Sequence, residues 1–202
     1  MQFYEDLYAL ARSPKYVNRV DQSLSVLNVQ NRRVGVKARR GDGSFGEIVP
    51  NTPAISDPGY VVRRGPIATI EIGIEVKIIQ KAMIRQIDRV INDLKSQVSQ
   101  FKSHHGKPIT VGIVGINCAK QYVSFEADRV YPTTGFGRHK HPYQEADETE
   151  VRLNALARPS FDEFLILRFD ATNQAPYPFS WVDPKQTNLS YGAVLARVSN
   201  RF

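Results

Sequence analysis

The sequence is poor in features that would place it outside the cytoplasm. It has a single cysteine, Cys118, so an internal disulfide is excluded, and its opening stretch does not resemble an export signal. We therefore expect a reducing, cytoplasmic location. The longest mainly apolar stretch, residues 67–79, carries three charged side chains and is too short to cross a bilayer, so a membrane-spanning chain is not expected.

Acidic residues are outnumbered in one part of the chain only. Residues 1–110 hold 17 Lys or Arg against 10 Asp or Glu, whereas residues 111–202 hold 10 of each. A basic region can attract a phosphate backbone, but it can equally be an ordinary solvated surface. The length of 202 residues suits a single domain, 1–202, with its own hydrophobic core.

Strict alternation between residues 70 and 78 predicts a strand with two different faces. The aliphatic face is formed by Ile70, Ile72, Ile74, Val76 and Ile78. The other face is formed by Glu71, Gly73, Glu75 and Lys77. All the charge of the segment is therefore expected on one side of the sheet.

A long helix and a buried strand follow this strand. Apolar residues recur at steps of three and four from Ile84 to Phe101, which predicts an amphipathic helix ending near His104. The nearly continuous apolar run 107–119 predicts a strand buried on both faces. Strand, helix and strand form a βαβ unit, so we expect an α/β fold with a central mixed sheet and helices on both faces.

The rest of the chain supplies further expected elements. They are a helix at 2–12, a hairpin turning at Gly41–Ser44, a loop at 51–59, a strand followed by a loop at 122–144, a helix at 145–157, a strand at 163–169 and a final helix at 189–200.

Two acids and a lysine stand around the alternating strand in an order that suggests chemistry. Asp57 lies in the loop before it, and Glu75 and Lys77 lie two residues apart on its charged face. Carboxylates from neighbouring strands supply the hard oxygen ligands that Mg²⁺ prefers, and Mg²⁺ also accepts phosphate oxygens. A lysine on the same face could orient a water molecule or neutralise charge on a phosphate.

This order resembles the PD-(D/E)XK superfamily of restriction-endonuclease-like nucleases. The resemblance rests on Asp57, then Glu75-Val76-Lys77, a helix and a buried strand, and it covers a catalytic core of approximately 45–118. It implies that Asp57 and Glu75 bind Mg²⁺ and that Lys77 assists the nucleophile. The chain departs from the family pattern in having Ser56-Asp57-Pro58 where Pro-Asp is expected.

Alternatives to these assignments stay open. Glu71 rivals Asp57 because it shares the predicted charged face, although it stands ~13 Å from Glu75 along a strand. Glu47 is a possible further carboxylate or an exposed strand residue, and Gln80 could contact substrate or cap the helix. Glu75 and Lys77 could also form no more than an ion pair on a solvated sheet face.

Basic residues outside the strand are candidates for DNA binding. The predicted phosphate-contacting residues are Arg39, Arg40, Arg63, Arg64, Arg138 and Lys140. Loops 133–144 and 173–188 are the expected substrate loops. The alternating histidines of the Arg-His-Lys-His run at 138–141 are weak zinc ligands, because Arg138 and Lys140 would oppose a cation there.

The expected function is Mg²⁺-dependent hydrolysis of DNA, of the restriction or phage-defence type. A homodimer is expected because cutting two strands requires two active sites. The alternative is a catalytically inactive nuclease-fold subunit that binds nucleic acid or assembles with a larger complex. Cys118 is expected to be an inert thiol, since no base stands beside it in the sequence.

Overall fold

The computed structural model describes residues 2–28, 43–103 and 106–202. The helices in these ranges are α1 (Gln2–Leu10), α2 (Pro14–Asp21), α3 (Met83–Lys102), α4 (Tyr143–Leu156) and α5 (Pro184–Arg201). The strands are β1 (Ser25–Asn28), β2 (Gly43–Glu47), β3 (Arg64–Gly65), β4 (Ile72–Ile79), β5 (Ile109–Asn117), β6 (Val123–Glu126), β7 (Arg129–Pro132), β8 (Glu163–Ala171) and β9 (Phe179–Trp181). A short 3-10 turn, Arg158–Ser160, follows α4.

A mixed sheet of seven strands forms the centre of the molecule, in the order β3-β1-β2-β4-β5-β8-β9. Strand β2 is antiparallel to both of its neighbours, β1 and β4, while β4, β5 and β8 run parallel. Helix α3 connects β4 to the parallel β5, which confirms the predicted βαβ unit. Strand β4 therefore lies at the junction between the antiparallel and the parallel halves of the sheet.

Helices cover both faces of the sheet, as predicted. On one face α1, α2 and α5 pack against Ile72, Ile74 and Val111 of β4 and β5. On the other face α3 and α4 pack against Val114 and Ile116 of β5. The α/β class with a central mixed sheet is thereby confirmed.

The predicted helix at 84–101 is confirmed as α3 because its apolar residues form one continuous stripe. Ile87, Leu94 and Phe101 are fully buried on that stripe. The strand predicted at 107–119 is β5, and seven of its nine residues are buried. The predicted helices near the two ends of the sequence and at 145–157 are also present, as α1, α5 and α4.

Three local predictions differ from the structure. Residues 14–21 form α2, whose N-cap is Ser13 and whose first residue is Pro14, where the sequence suggested only the end of α1. Gly43 and Ser44 are strand residues of β2 and not part of a turn, while Gly41 and Asp42 lie outside the described residues. The segment predicted as one strand and a loop contains the hairpin β6–β7.

None of the helices in the described ranges is long and apolar enough to cross a membrane.

Candidate functional site

Glu75 and Lys77 lie together on β4, in the middle of the sheet. The Oε1 atom of Glu75 lies 2.7 Å from the Nζ atom of Lys77. Glu75 is only 6% exposed, whereas the Lys77 side chain is 30% exposed. The pair is therefore not on a solvated sheet face, because the carboxylate is buried and only the lysine reaches solvent.

The face of β4 that carries this pair is the face covered by α3. A Cβ atom built on Gly73 would lie 2.6 Å from the ring of Phe101 of α3. Glu75 and Lys77 follow Gly73 at steps of two, so they project from the same face. The aliphatic side chains of Ile72 and Ile74 point the other way, into the core beneath α1, α2 and α5. Ile78 lies past this core and is 56% exposed.

Glu71 does not share the face of Glu75, contrary to the sequence prediction. The alternation is interrupted just before β4 begins: Ile70 packs with Phe101, whereas Ile72 packs beneath α1 and α2. Residues 70 and 72 would face the same side in a regular strand. Glu71 consequently points towards α2, where its carboxylate lies 3.0 Å from Arg19 Nε.

Glu47 and Glu71 belong to one ionic cluster at the beginning of β4. Arg19 contacts Glu47 Oε1 at 2.8 Å and also donates to Ser25 Oγ at 2.7 Å. Ser25 Oγ in turn donates to Glu71 Oε2 at 2.6 Å. The two auxiliary acids are therefore both paired with Arg19, and the structure does not bring them to Glu75.

Asp57 lies outside the short edge strand β3. Its carboxylate contacts the guanidinium of Arg64, and Ile55 forms a bridge with the same arginine. Strands β1 and β2 stand between β3 and β4, so three inter-strand spacings, ~14 Å in total, separate Asp57 from the strand of Glu75. One metal ion cannot contact both carboxylates in this arrangement.

Gln80 has a structural contact at the end of β4. The amide of Asn117, fully buried at the end of β5, donates to the main-chain oxygen of Gln80 at 3.2 Å and lies 3.5 Å from its side-chain oxygen. The same amide donates to Ala171 at 2.7 Å. Asn117 thus ties together the ends of three neighbouring strands, and Gln80 takes part in that junction.

The predicted DNA-contacting residues fall into three groups. Arg39 and Arg40 lie outside the described residues. Arg63 is exposed, whereas Arg64 is paired with Asp57 and so is less available to phosphate. Arg138 and Lys140 are both exposed on the loop after β7.

That loop is held together by its own hydrogen bonds. The amides of Thr134 and Gly135 both donate to the His139 carbonyl at 3.0 Å. The Nδ1 atom of His141 lies 2.8 Å from Thr133 Oγ1, while Arg138 Nε donates to the ring of His139 at 3.2 Å. The two histidines therefore have local structural partners within the loop.

The sequence analysis missed a row of cations at the start of α3. Arg85 and Arg89 lie four residues apart on one face of α3, and Lys81, just before the helix, lines the same cavity as both. Lys81 and Arg85 line the same cavity as Arg138 and Lys140. The spacing of four was visible in the sequence, but only the fold shows that this row meets the loop after β7.

Cys118 contacts Arg168, but this contact does not activate its thiol. Burial raises the pKa of its thiol, although the neighbouring Arg168, whose Nε lies 3.3 Å from the sulfur, acts in the opposite direction. The thiol is therefore in its neutral form near pH 7, which is unfavourable for a nucleophile.

The described ranges contain no group of three or more His, Cys, Asp or Glu side chains arranged to hold a metal ion. A smaller donor set is still compatible with Mg²⁺, which often binds one or two carboxylates and fills its other positions with water and phosphate oxygens. Glu75 is such a carboxylate. Comparisons with protein-family models, curated proteins and solved structures gave no match.

Proposed function

We propose that this chain is a Mg²⁺-dependent DNA endonuclease of the restriction or phage-defence type, with Glu75 and Lys77 as its acid-x-lysine pair. The observation that supports the proposal is the buried Glu75 carboxylate 2.7 Å from Lys77, on the strand that α3 follows directly. A buried carboxylate is costly unless it is paired or binds a cation. Lys77 meets this requirement for Glu75, and a buried pair at the centre of the sheet supports a chemical role better than an ion pair on the surface would.

The topology around the pair also supports the proposal. Three antiparallel strands, β1, β2 and β4, are followed by α3 and the parallel β5. Apart from the two-residue edge strand β3, this βββαβ order is compatible with a restriction-endonuclease-like core, although β1 precedes the approximate range 45–118 that the sequence resemblance implies. The second parallel strand, β8, and helices α4 and α5 would complete the single domain.

The two side chains have different tasks in this proposal. Glu75 supplies a carboxylate oxygen as a hard ligand for Mg²⁺. When bound, Mg²⁺ would supply Lewis-acid stabilisation of the scissile phosphate and a more acidic water. Lys77 is positioned to neutralise negative charge on any phosphate that approaches Glu75, because its ammonium is already within contact distance of that carboxylate.

The position of Asp57 does not suit the role of the first acid in the family pattern, so we look for another residue to fill it. Asp57, Glu71 and Glu47 all have arginine partners away from Glu75. Asp42 lies outside the described residues, but it directly precedes Gly43, the Cα partner of Ile74. Asp42 therefore belongs in the mutational test as a candidate for that role.

The test is cleavage of supercoiled and linear duplex DNA by the purified protein, with Mg²⁺ or with EDTA. We expect metal-dependent cutting that is lost in Glu75→Ala, Lys77→Met and Asp42→Ala and retained in Asp57→Ala. Circular dichroism of each variant checks that it folds. Cutting that survives Glu75→Ala would overturn the proposed site.

A non-cutting function is the second candidate, favoured by the absence of a matching acid beside Glu75 among Asp57, Glu71 and Glu47. In that case the chain is a nuclease-fold subunit that binds nucleic acid or a larger assembly. DNA binding without cleavage of any duplex, single strand or RNA would support it.

Double-strand cleavage further implies a homodimer, since each subunit offers one Glu75–Lys77 pair. Sedimentation of the protein with and without duplex DNA tests this part of the proposal. A chain that remains monomeric while it cuts both strands at one position would contradict it.

A further inference from the structure

A basic cleft lies between the start of α3 and the segment that contains β6, β7 and the following loop. Its volume is about 400 Å³, and its lining includes Lys81, Arg85, Ser124, Arg138, His139 and Lys140. An adjoining cavity of about 410 Å³ shares Lys81 and Arg85 and extends along α3 to Arg89. One acid, Glu126, also lines the cleft. Together the two cavities form one continuous surface with five cationic side chains.

None of the cations of this cleft has an acidic partner in the described ranges. Arg85, Arg89, Arg138 and Lys140 form no ion pair with any residue in the described ranges, and Lys81 donates to the neutral Ser124 hydroxyl. The arginines paired with carboxylates elsewhere are Arg19, Arg64, Arg152, Arg168, Arg197 and Arg201. Arg12, Arg63, Arg129 and Arg158 also form no ion pair in the described ranges, so what distinguishes the cleft is that five such cations line one concave surface.

The position of these cations on α3 is unfavourable for the helix itself. Its first turn holds Arg85 and no acidic residue of its own, and the acid at the positive end of the helix dipole is the buried Glu145 of α4, which accepts from the Met83 main-chain nitrogen at 2.9 Å. Arg85 and Arg89 are also four residues apart, a spacing at which like charges destabilise a helix. An external anion would relieve the repulsion between Arg85 and Arg89, which is consistent with a binding role for this face of α3.

The cleft begins just beyond the end of β4, the strand that carries the candidate active site. Lys81 follows Lys77 by four residues, so their Cα atoms are at most ~14 Å apart. That distance corresponds to about four nucleotide steps of a DNA strand, at 3.4 Å per step along the duplex axis. A strand whose phosphate lies at Lys77 can therefore present its neighbouring phosphates to the cleft.

We propose that this cleft binds the phosphate backbone of DNA a few nucleotides from the bond at which Glu75 and Lys77 act. The choice of DNA as the ligand rests on the proposed function. The presence of the cationic cleft does not depend on that function. Lys81, Arg85 and Arg89 form one wall, and Arg138 and Lys140 form the other. Contacts of this kind fix the position of the duplex without reading its sequence.

The test measures binding of a short fluorescein-labelled duplex by anisotropy in EDTA, over a series of salt concentrations. We expect Arg85→Ala, Arg138→Ala and Lys140→Ala each to weaken binding about five- to tenfold near 0.1 M salt and to reduce the slope of log K against log salt by about one. Lys95→Ala is the matched control, since Lys95 is an exposed cation on the same helix outside the cleft. It should leave both quantities unchanged.

The outcomes separate this inference from the proposed nuclease activity. Cleft variants that lose binding in a protein that never cuts would support the cleft and count against the catalytic proposal. The opposite result is DNA cutting that depends on Glu75, together with cleft variants whose affinity and salt dependence equal those of the wild type. That result would overturn the proposal that the cleft binds DNA. Poly-glutamate that binds the wild type as tightly as the duplex would overturn the assignment of the cleft to DNA.

Discussion

The two ends of strand β4 use the same kinds of charged residue in different ways. At its beginning Glu71 and Glu47 share Arg19, and Ser25 completes the cluster with hydrogen bonds. Towards its other end a single buried acid contacts Lys77, and the cations that follow have no acidic partner in the described ranges. In the first region both acids have an internal partner, whereas the second region has positive charge available to an external anion.

A matched pair of substitutions gives the largest expected effect. Glu75→Gln and Glu71→Gln each replace one glutamate of the β4 segment by its neutral isostere. We expect Glu75→Gln to lower the rate of DNA cleavage at least about a thousandfold, since ~4 kcal/mol of transition-state stabilisation corresponds to that factor. Glu71→Gln should lower it less than about tenfold.

Initial rates of plasmid nicking with Mg²⁺ measure this difference. Equal losses in the two variants would show that the beginning of β4 takes part in the chemistry, and the distinction between the two regions would then fail. Thermal unfolding of both proteins serves as the control for a general loss of structure.

The two regions should also differ in how much a substitution of their arginine lowers the stability of the protein. Arg19→Ala leaves two carboxylates and Ser25 without their shared donor, and the side chains of Arg19 and Glu71 are only 18% and 17% exposed. We expect the free energy of unfolding to fall by about 2–3 kcal/mol. Arg85→Ala removes a cation that has no acidic partner, so its effect should stay within about 0.5 kcal/mol.

Urea unfolding at neutral pH measures both values. A large loss of stability in Arg85→Ala would mean that the cleft cations are structural, contrary to the inference drawn from their lack of partners. A neutral Arg19→Ala would mean that the cluster at the beginning of β4 contributes little to folding.

The carboxylate of Asp162 should make the stability of the protein depend on pH. Burial raises the pKa of Asp162, but hydrogen bonds from the Thr110 main chain and hydroxyl, together with Lys102 and Arg201, outweigh this and lower the pKa. A lowered pKa in the folded protein stabilises it above the ordinary value of 3.8, and this contribution is lost as the pH falls through the folded pKa. Asp162→Asn should therefore be less stable than the wild type at pH 7 and equally stable in strong acid.

The difference in unfolding free energy between the wild type and Asp162→Asn, followed from neutral to acidic pH, measures this contribution. We expect it to be the smallest of the three effects because Asp162 is partly exposed. A difference that grows as the pH falls would contradict the assigned direction.

The elements with a regular pattern could be predicted from the sequence. Helix α3 has an uninterrupted apolar stripe from Ile84 to Phe101, and β5 has an unbroken apolar run, so length and periodicity agree. Helix α2 was missed because it has only eight residues and because Ser13-Pro14 was interpreted as the end of α1. The same pair is also the usual beginning of a helix, with serine as N-cap and proline as first residue.

The partners of Glu75 were harder to predict because they depend on the order of the strands. Asp57 is only eighteen residues from Glu75 in the sequence, yet β1 and β2 are inserted between their positions in the sheet. Glu71 fits the alternating pattern in the sequence, but in the structure the alternation of side chains is interrupted just before Ile72. The local placement of Glu75 beside Lys77 required only strand periodicity, and that is why it could be anticipated.

One contact at the start of α3 bears on the timing of folding. The main-chain nitrogen of Met83, at the start of α3, donates to the buried carboxylate of Glu145 at 2.9 Å. These residues are 62 positions apart, so α4 must dock before the first turn of α3 has its native partner. Contacts between distant residues carry the entropy of closing a long loop and tend to form late in folding. We therefore expect the two walls of the basic cleft to meet only near the end of folding, so that a nascent or partly folded chain has little affinity for DNA.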